Sequence, residues 1–241
     1  MFDCHCHILP GIDDGSKNVQ MSLNMLDMEV RQGVQGVIFT PQFYADMNSP
    51  ATFLERRDRA LEALEAHLSL LPKVPKYILG SEVHYFRGMS RVDDLERLCI
   101  GNSNYILIEM PFRDWQPQYI DEIEEISHVM GLNVIIAHIE RYMSQDKRLV
   151  RRLIDNPNLL IQCNAEYFIE KTQKHAISFM KSGRIDLLGS DSHNLSTRLP
   201  NLKEAVEIMQ KKDKKGATDH IWQMSQMIFA EATSRIGETL R

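Results

Sequence analysis

The sequence predicts an α/β protein built on a parallel sheet and wound as a β/α barrel, and three observations carry that expectation. Seven short apolar runs recur along the chain, stretches of helical periodicity separate most of them, and polar residues stand at or just past the C-terminal ends of the runs. Apolar runs of this kind suit strands buried on both faces, and a barrel gathers their C-terminal ends on one rim, where sites are built. With 241 residues and 43% hydrophobic content, the chain can bury such a core in a single domain spanning 1–241.

The first strand lies in Asp3-Cys4-His5-Cys6-His7, where alternation puts His5 and His7 on one face and turns Cys4 and Cys6 toward the helices. Pro10-Gly11 ends it and lets Asp14 return over its end. A helix over 17–32 follows from Val19, Leu23, Leu26 and Val30, closed by Gly33, and 34–40 reads as a buried strand ended by Pro41. Leu54, Leu61, Leu64 and Leu68 predict a helix over 52–71, stopped by Pro72. Further strands are expected at 77–82, 105–109, 133–138, 159–163 and 185–190, and further helices near 118–130, 146–155, 172–182, 201–211 and 217–232. The loops at 41–50 and 110–117 carry Phe43 and Tyr44, and Phe112 and Trp115, which either face a substrate or pack.

Composition narrows the function. A net charge of -5 with no long basic run gives no surface for holding nucleic acid by its phosphates. No segment approaches the roughly 20 apolar residues that cross a bilayer, and no secretory leader pattern opens the chain. Four cysteines without paired C-x-x-C spacing read as reduced thiols, so a cytoplasmic protein is expected.

The candidate ligands are His5, His7, Asp14, Glu82, Glu109, His138, Asp191 and His193. A mixed imidazole and carboxylate set of this size suits two or three divalent ions, with one carboxylate bridging neighbours. Each residue alone reads more readily as a hydrogen-bonded structural group. The joint pattern does not, because unpaired charges buried together repel. Arg141 and Arg198 follow His138 and His193 closely, and their planar forks match phosphate oxygens; the alternative is that they pair with Glu140 or with surplus site carboxylates.

His5-Cys6-His7-Ile8-Leu9-Pro10 with Asp13-Asp14-Gly15, Thr40-Pro41, Gly80-Ser81-Glu82, Leu107-Ile108-Glu109, Ala137-His138-Ile139-Glu140-Arg141-Tyr142 and Ser190-Asp191-Ser192-His193-Asn194 with Arg198 resemble, in order, the polymerase-and-histidinol-phosphatase superfamily. Within it the chain is most similar to the metal-dependent protein tyrosine phosphatases encoded with bacterial capsule and exopolysaccharide genes, chiefly in Gram-positive species. The resemblance implies a distorted (β/α)7 TIM-like barrel and two or three divalent ions, most often manganese, with iron or zinc as alternatives. It implies that His5, His7, Glu82 and Asp191 hold the first ion, that Glu82 bridges to a second held by Glu109 and His138, and that Asp14 and His193 hold a third. Arg141 and Arg198 then bind the phosphoryl group, and the implied partner is the phosphotyrosyl tail of a bacterial tyrosine kinase; a homo-oligomer is compatible with this.

One departure stands out. The family's threonine-proline pair is usually followed by a histidine on the third ion, and that position is Gln42, with His84 a candidate substitute. An amide oxygen is a weaker ligand for these ions than imidazole. Two other readings stay open: a small-molecule phosphatase of histidinol-phosphate type, which would use the same metal rim, and, because of Gln42, a phosphotyrosyl-tail binding protein with impaired turnover.

Overall fold

All seven expected strands form, and they close on themselves. The computed structural model describes residues 1–169, 171–213 and 216–234. In chain order the elements are β1 (Phe2–Cys6), α1 (Val19–Arg31), β2 (Gly36–Phe39), β3 (Gln42–Phe43), α2 (Pro50–Glu65), β4 (Lys76–Leu79), β5 (Glu82–His84), β6 (Tyr105–Glu109), α3 (Pro117–His128), β7 (Asn133–Ile136), α4 (Lys147–Ile154), β8 (Leu159–Asn164), α5 (Glu166–Ile169), α6 (Gln173–Lys181), β9 (Leu187–Gly189), α7 (Leu202–Lys212) and α8 (Ala217–Ser234). All pairings are parallel: β1-β2-β4 on one side and β3-β5-β6-β7-β8-β9 on the other.

One of the expected strands is interrupted rather than continuous, and another ends at Pro41 as expected but resumes beyond it. The run 34–40 and its extension lapse at Thr40-Pro41 between β2 and β3, where proline has no N–H to donate, and the run 77–82 lapses at Gly80-Ser81 between β4 and β5. Counting each broken pair once leaves seven strands. Hydrogen bonds from Asp191 N–H to the His5 carbonyl (2.7 Å) and from His7 N–H to the Ser192 carbonyl (2.9 Å) join the end of β9 to β1. This short closure makes the barrel a distorted one. Only short 3₁₀ turns, Met89–Arg91 and Leu95–Leu98, connect β5 to β6, so that crossover lacks the helix found in the others.

Alternation along the strands builds two cores. Ile38, Ile78, Leu107, Ile135 and Leu187 pack inward, and Ile228, Phe229 and Ala232 of α8 join them. Their neighbours Val37, Phe39, Ile106, Ile108, Val134, Ile136 and Leu188 belong to the larger cluster shared with the other helices. The apolar inner layer leaves the polar side chains nearer the C-terminal strand ends to fill the rim. Cys4 departs from the expected alternation. The β1–β2 register shifts between Asp3 and Cys6, so Cys4 joins the inner cluster, its thiol 3.5 Å from Ser225 Oγ of α8, while Cys6 packs outward as expected. No helix among the described residues is long and apolar enough to cross a membrane.

Two buried acids, Asp3 and Glu29, lie outside the candidate ligand groups. Glu29 of α1 is fully buried beside the equally buried Asp3, and burial, followed by repulsion from Asp3 and a side-chain hydrogen bond with it, holds the Glu29 pKa well above the usual value. The native state keeps that proton at pH values where the unfolded chain, with a pKa near 4.5, has released it. Native protein then binds more protons than unfolded protein, so stability falls as pH rises from 4.5 toward the raised native value. Glu29→Gln is expected to raise stability near neutral pH by about 1–2 kcal/mol, and Tm by about 3 °C or more. Melting curves at acid and neutral pH check this: the gain shrinks toward acid pH, and a variant less stable than wild type at neutral pH contradicts it.

Candidate metal centre

The rim collects the residues that the sequence scatters. His5 Nε2 and His7 Nε2 lie 3.2 Å apart, and Glu82 Oε2 is 3.2 Å from the first and 3.1 Å from the second. Asp191 Oδ1 stands 3.5 Å from both. Glu82 also turns its other oxygen, Oε1, to His138 Nε2 at 2.8 Å, and Glu109 Oε1 lies 3.4 Å from that nitrogen. A third group comprises His7, Asp14 and His193, with His193 Nε2 3.4 Å from Asp14 Oδ1. All eight predicted ligand residues therefore meet in three overlapping groups, and Glu82 spans two of them.

Local structure aims these side chains. A Cβ at Gly189 would sit 2.5 Å from His5 Cβ, so glycine leaves the space that His5 needs. His138 (φ 31°) and Asp191 (φ 52°) both adopt the left-handed backbone, which is strained for residues with a Cβ and recurs at functional sites. The turn at His138 leads into the 3₁₀ segment Ile139–Tyr142, which carries Arg141 over the rim.

The other ring nitrogens of His5, His7 and His193 are pinned, whereas His138 Nδ1 is buried without a hydrogen-bond partner. His7 Nδ1 bonds Asp13 Oδ2 at 2.8 Å, His5 Nδ1 lies 3.2 Å from Gln162 Oε1, and His193 Nδ1 meets the Asp191 carbonyl at 2.9 Å. Such partners orient imidazoles for coordination through the other nitrogen. Sequence reasoning missed Asp13, Gln162 and Asn164, which donates to Asp191 Oδ2 at 2.8 Å. The signal for the last two was present: polar residues two apart at the end of an otherwise apolar strand share a face with the rim.

Gln42 does not join the third group. Its Nε2 donates to Glu109 Oε2 at 3.1 Å, and its N–H donates to Asp13 Oδ2 at 2.9 Å. His84 does not replace it there either, because its Nδ1 lies 2.7 Å from the same Glu109 oxygen. Arg141 and Arg198 each donate an Nη2 hydrogen bond of 2.6 Å to Asp191 Oδ2, so the two guanidinium groups converge on one oxygen, each about a third exposed. This is the carboxylate pairing weighed as the alternative, and with about a third of each side chain exposed it does not enclose the guanidinium groups.

Charge is concentrated here. Burial works against the carboxylate of Glu82, yet His5 and hydrogen bonds from His138 and His7 hold its pKa well below the usual range. Asp191 is likewise held low against burial, by His5, His7 and Arg141. Burial lowers the His138 pKa, but hydrogen bonds to Glu109 and Glu82 outweigh it and lift the value to about 9. The Asp14 pKa falls to about 2, first through its hydrogen bond with His193.

The donor set fits divalent ions. Atoms 2.0–2.2 Å from one ion lie about 2.8–3.6 Å from one another, which is the spacing observed in the first group. Imidazole plus carboxylate suits borderline divalent metals. The cysteines offer no competing chemistry: all four are buried, and burial pushes the Cys4 and Cys99 thiols up to about 12 and those of Cys6 and Cys163 well above the usual value. A thiolate nucleophile needs the opposite shift.

Comparison with known proteins places the chain. A family model described as "Capsular polysaccharide synthesis, CpsB/CapC" matches residues 1–229. The tyrosine-protein phosphatase CpsB of Streptococcus pneumoniae is 30% identical over 230 residues, covering 88% of this chain and 90% of that protein. The tyrosine-protein phosphatase YwqE of Bacillus subtilis (strain 168) is 29% identical over 229 residues, covering 88% and 84%. A solved structure described under "YwqE from Bacillus subtilis and CpsB from Streptococcus pneumoniae, unique metal-dependent tyrosine phosphatases" matches with a TM-score of 0.78 at 24% identity, covering 96% of this chain and 95% of that one, and shows the same fold.

Proposed function

Because the chain belongs to the CpsB/CapC family of capsular polysaccharide synthesis proteins, we propose that it is a metal-dependent protein tyrosine phosphatase acting on a phosphotyrosyl protein in capsule or exopolysaccharide synthesis. The observation that carries this reading is the pair of arginines converging beside a rim of imidazoles and carboxylates. We assign His5, His7, Glu82 and Asp191 to one ion, Glu82, Glu109 and His138 to a second, and Asp14 and His193, beside His7, to a third. Manganese is the ion we favour, the tail of a tyrosine kinase the substrate, and the cytoplasm the location, with 1–241 acting as one domain.

Bound divalent ions supply an acidified water at neutral pH and a sink for phosphoryl charge. The chain's own residues do the rest. Arg141 and Arg198 hold the phosphoryl oxygens through N–H groups not engaged with Asp191, and so stabilise charge as it develops on them. Asp191 Oδ2 and Asn164 fix the position of that arginine pair. The leaving phenolate of tyrosine, with a parent pKa of about 10, asks for less proton delivery than an alkoxide would.

Phosphate release from a phosphotyrosyl peptide and a matched phosphoseryl peptide, with manganese before and after chelation, tests this. Chelator-sensitive turnover favouring phosphotyrosine is expected. No turnover of either peptide contradicts it, and tight binding without release points instead to a phosphotyrosyl-tail binding protein.

Gln42 bears on the ion count. Gln42→His puts an imidazole where an amide stands and is expected to raise bound manganese by about one ion per chain, since imidazole is the stronger donor. Metal analysis after equilibrium dialysis measures this, and identical stoichiometry in both proteins sinks the prediction.

A further inference from the structure

The two aromatic loops at the rim each split into a buried and an exposed ring. Phe43 and Trp115 are 1% and 5% exposed, whereas Tyr44 is 37% and Phe112 57% exposed. The packing alternative thus holds for the first pair and fails for the second. Phe112 is not exposed because its loop is loose. Trp115 Nε1 donates to the Pro111 carbonyl at 2.8 Å, Trp115 N–H donates to Gln145 Oε1 at 3.0 Å, and Gln145 Nε2 donates to the Arg113 carbonyl at 3.2 Å.

The exposed rings stand on the site itself. Phe112 lies nearly parallel to the His138 imidazole, 15° between planes and 6.2 Å between centroids, and Tyr142 backs it at 5.8 Å. Tyr44 leans on His84 at 5.2 Å. His84 and His138 flank the two oxygens of Glu109, at 2.7 Å from Oε2 and 3.4 Å from Oε1. Phe112 and Tyr44 therefore each pack on an imidazole that approaches one oxygen of the same carboxylate, and Arg141 belongs to the same turn as the Tyr142 that supports Phe112.

We propose that Phe112 and Tyr44 form an aromatic clamp that takes the phenyl ring of the phosphotyrosyl side chain while Arg141 and Arg198 take its phosphate. The inference rests on the phosphatase reading above and names the residues that give it aryl specificity. A flat π face between two aromatic rings gains edge or offset contacts that a serine methylene cannot make. An exposed phenylalanine on a pinned loop forgoes burial in the free protein and recovers it when an aryl ring arrives.

The manganese-loaded protein tests this by two readouts, the kcat/KM ratio of phosphotyrosyl to phosphoseryl peptides of one flanking sequence, and the Kd of a peptide bearing non-hydrolysable phosphonomethyl-phenylalanine. Phe112→Leu and Tyr44→Leu are expected to lower the ratio and weaken the phosphonate peptide about fivefold to tenfold, chiefly through KM, whereas Phe112→Tyr retains both. Affinity for inorganic phosphate separates ring recognition from damage to the arginine site, and it is expected to stay at the wild-type value. An unchanged ratio and unchanged phosphonate-peptide Kd in both leucine variants overturn the clamp. Wild-type protein that binds the phosphonate peptide through these rings but releases no phosphate refutes the phosphatase reading and leaves the clamp standing.

Discussion

Glu82→Gln is expected to lower phosphotyrosyl turnover by more than about a hundredfold and to cost bound metal as well. The size follows from position. Residues that merely orient a metal ligand typically cost 10–100-fold when removed, and Glu82 turns one oxygen to His5 and His7 and the other to His138, so it serves two groups at once. The amide keeps nearly the same volume but removes the charge that balances those imidazoles. Steady-state rates together with metal analysis measure the effect, and a melting curve shows whether the variant folds. A folded variant with wild-type metal content and rate contradicts the bridging assignment.

The second large effect is at Arg141. Arg141→Ala should reduce kcat/KM by about 10²–10³-fold, the range lost when one preorganised donor to developing charge is removed. Arg141→Lys should recover only part of this, because an ammonium cannot present the planar fork that matches phosphate oxygens. Asp191 remains paired with Arg198 and Asn164 in either variant, so the carboxylate is not left bare and the fold is expected to survive. Loss of less than about threefold in both would assign Arg141 to the ion pair with Asp191 alone.

The order of strands and the rim were legible because both depend on local pattern. Apolar runs such as 105–109 mark strands directly, and the position of Glu109 or Asp191 relative to a run places it on the rim. What escaped depends on contacts between distant segments. The bulge that sends Cys4 inward is a matter of β1–β2 register, and α8 looks like any amphipathic helix until its apolar side is found against the inner ends of the strands. The aromatics of the two loops could not be sorted by composition, since only the packing of Trp115 under Pro111 makes Phe112 the exposed ring. Gln42 was visible as a departure from the family pattern, but its partner, Glu109, lies 67 residues away in the chain.

The most direct measurement is anomalous diffraction at the manganese edge from crystals grown with saturating manganese. Peaks are predicted among His5, His7, Glu82 and Asp191 and among Glu82, Glu109 and His138, with a weaker one beside Asp14 and His193. An occupied manganese position elsewhere, with neither of the first two groups filled, would contradict the account at its centre.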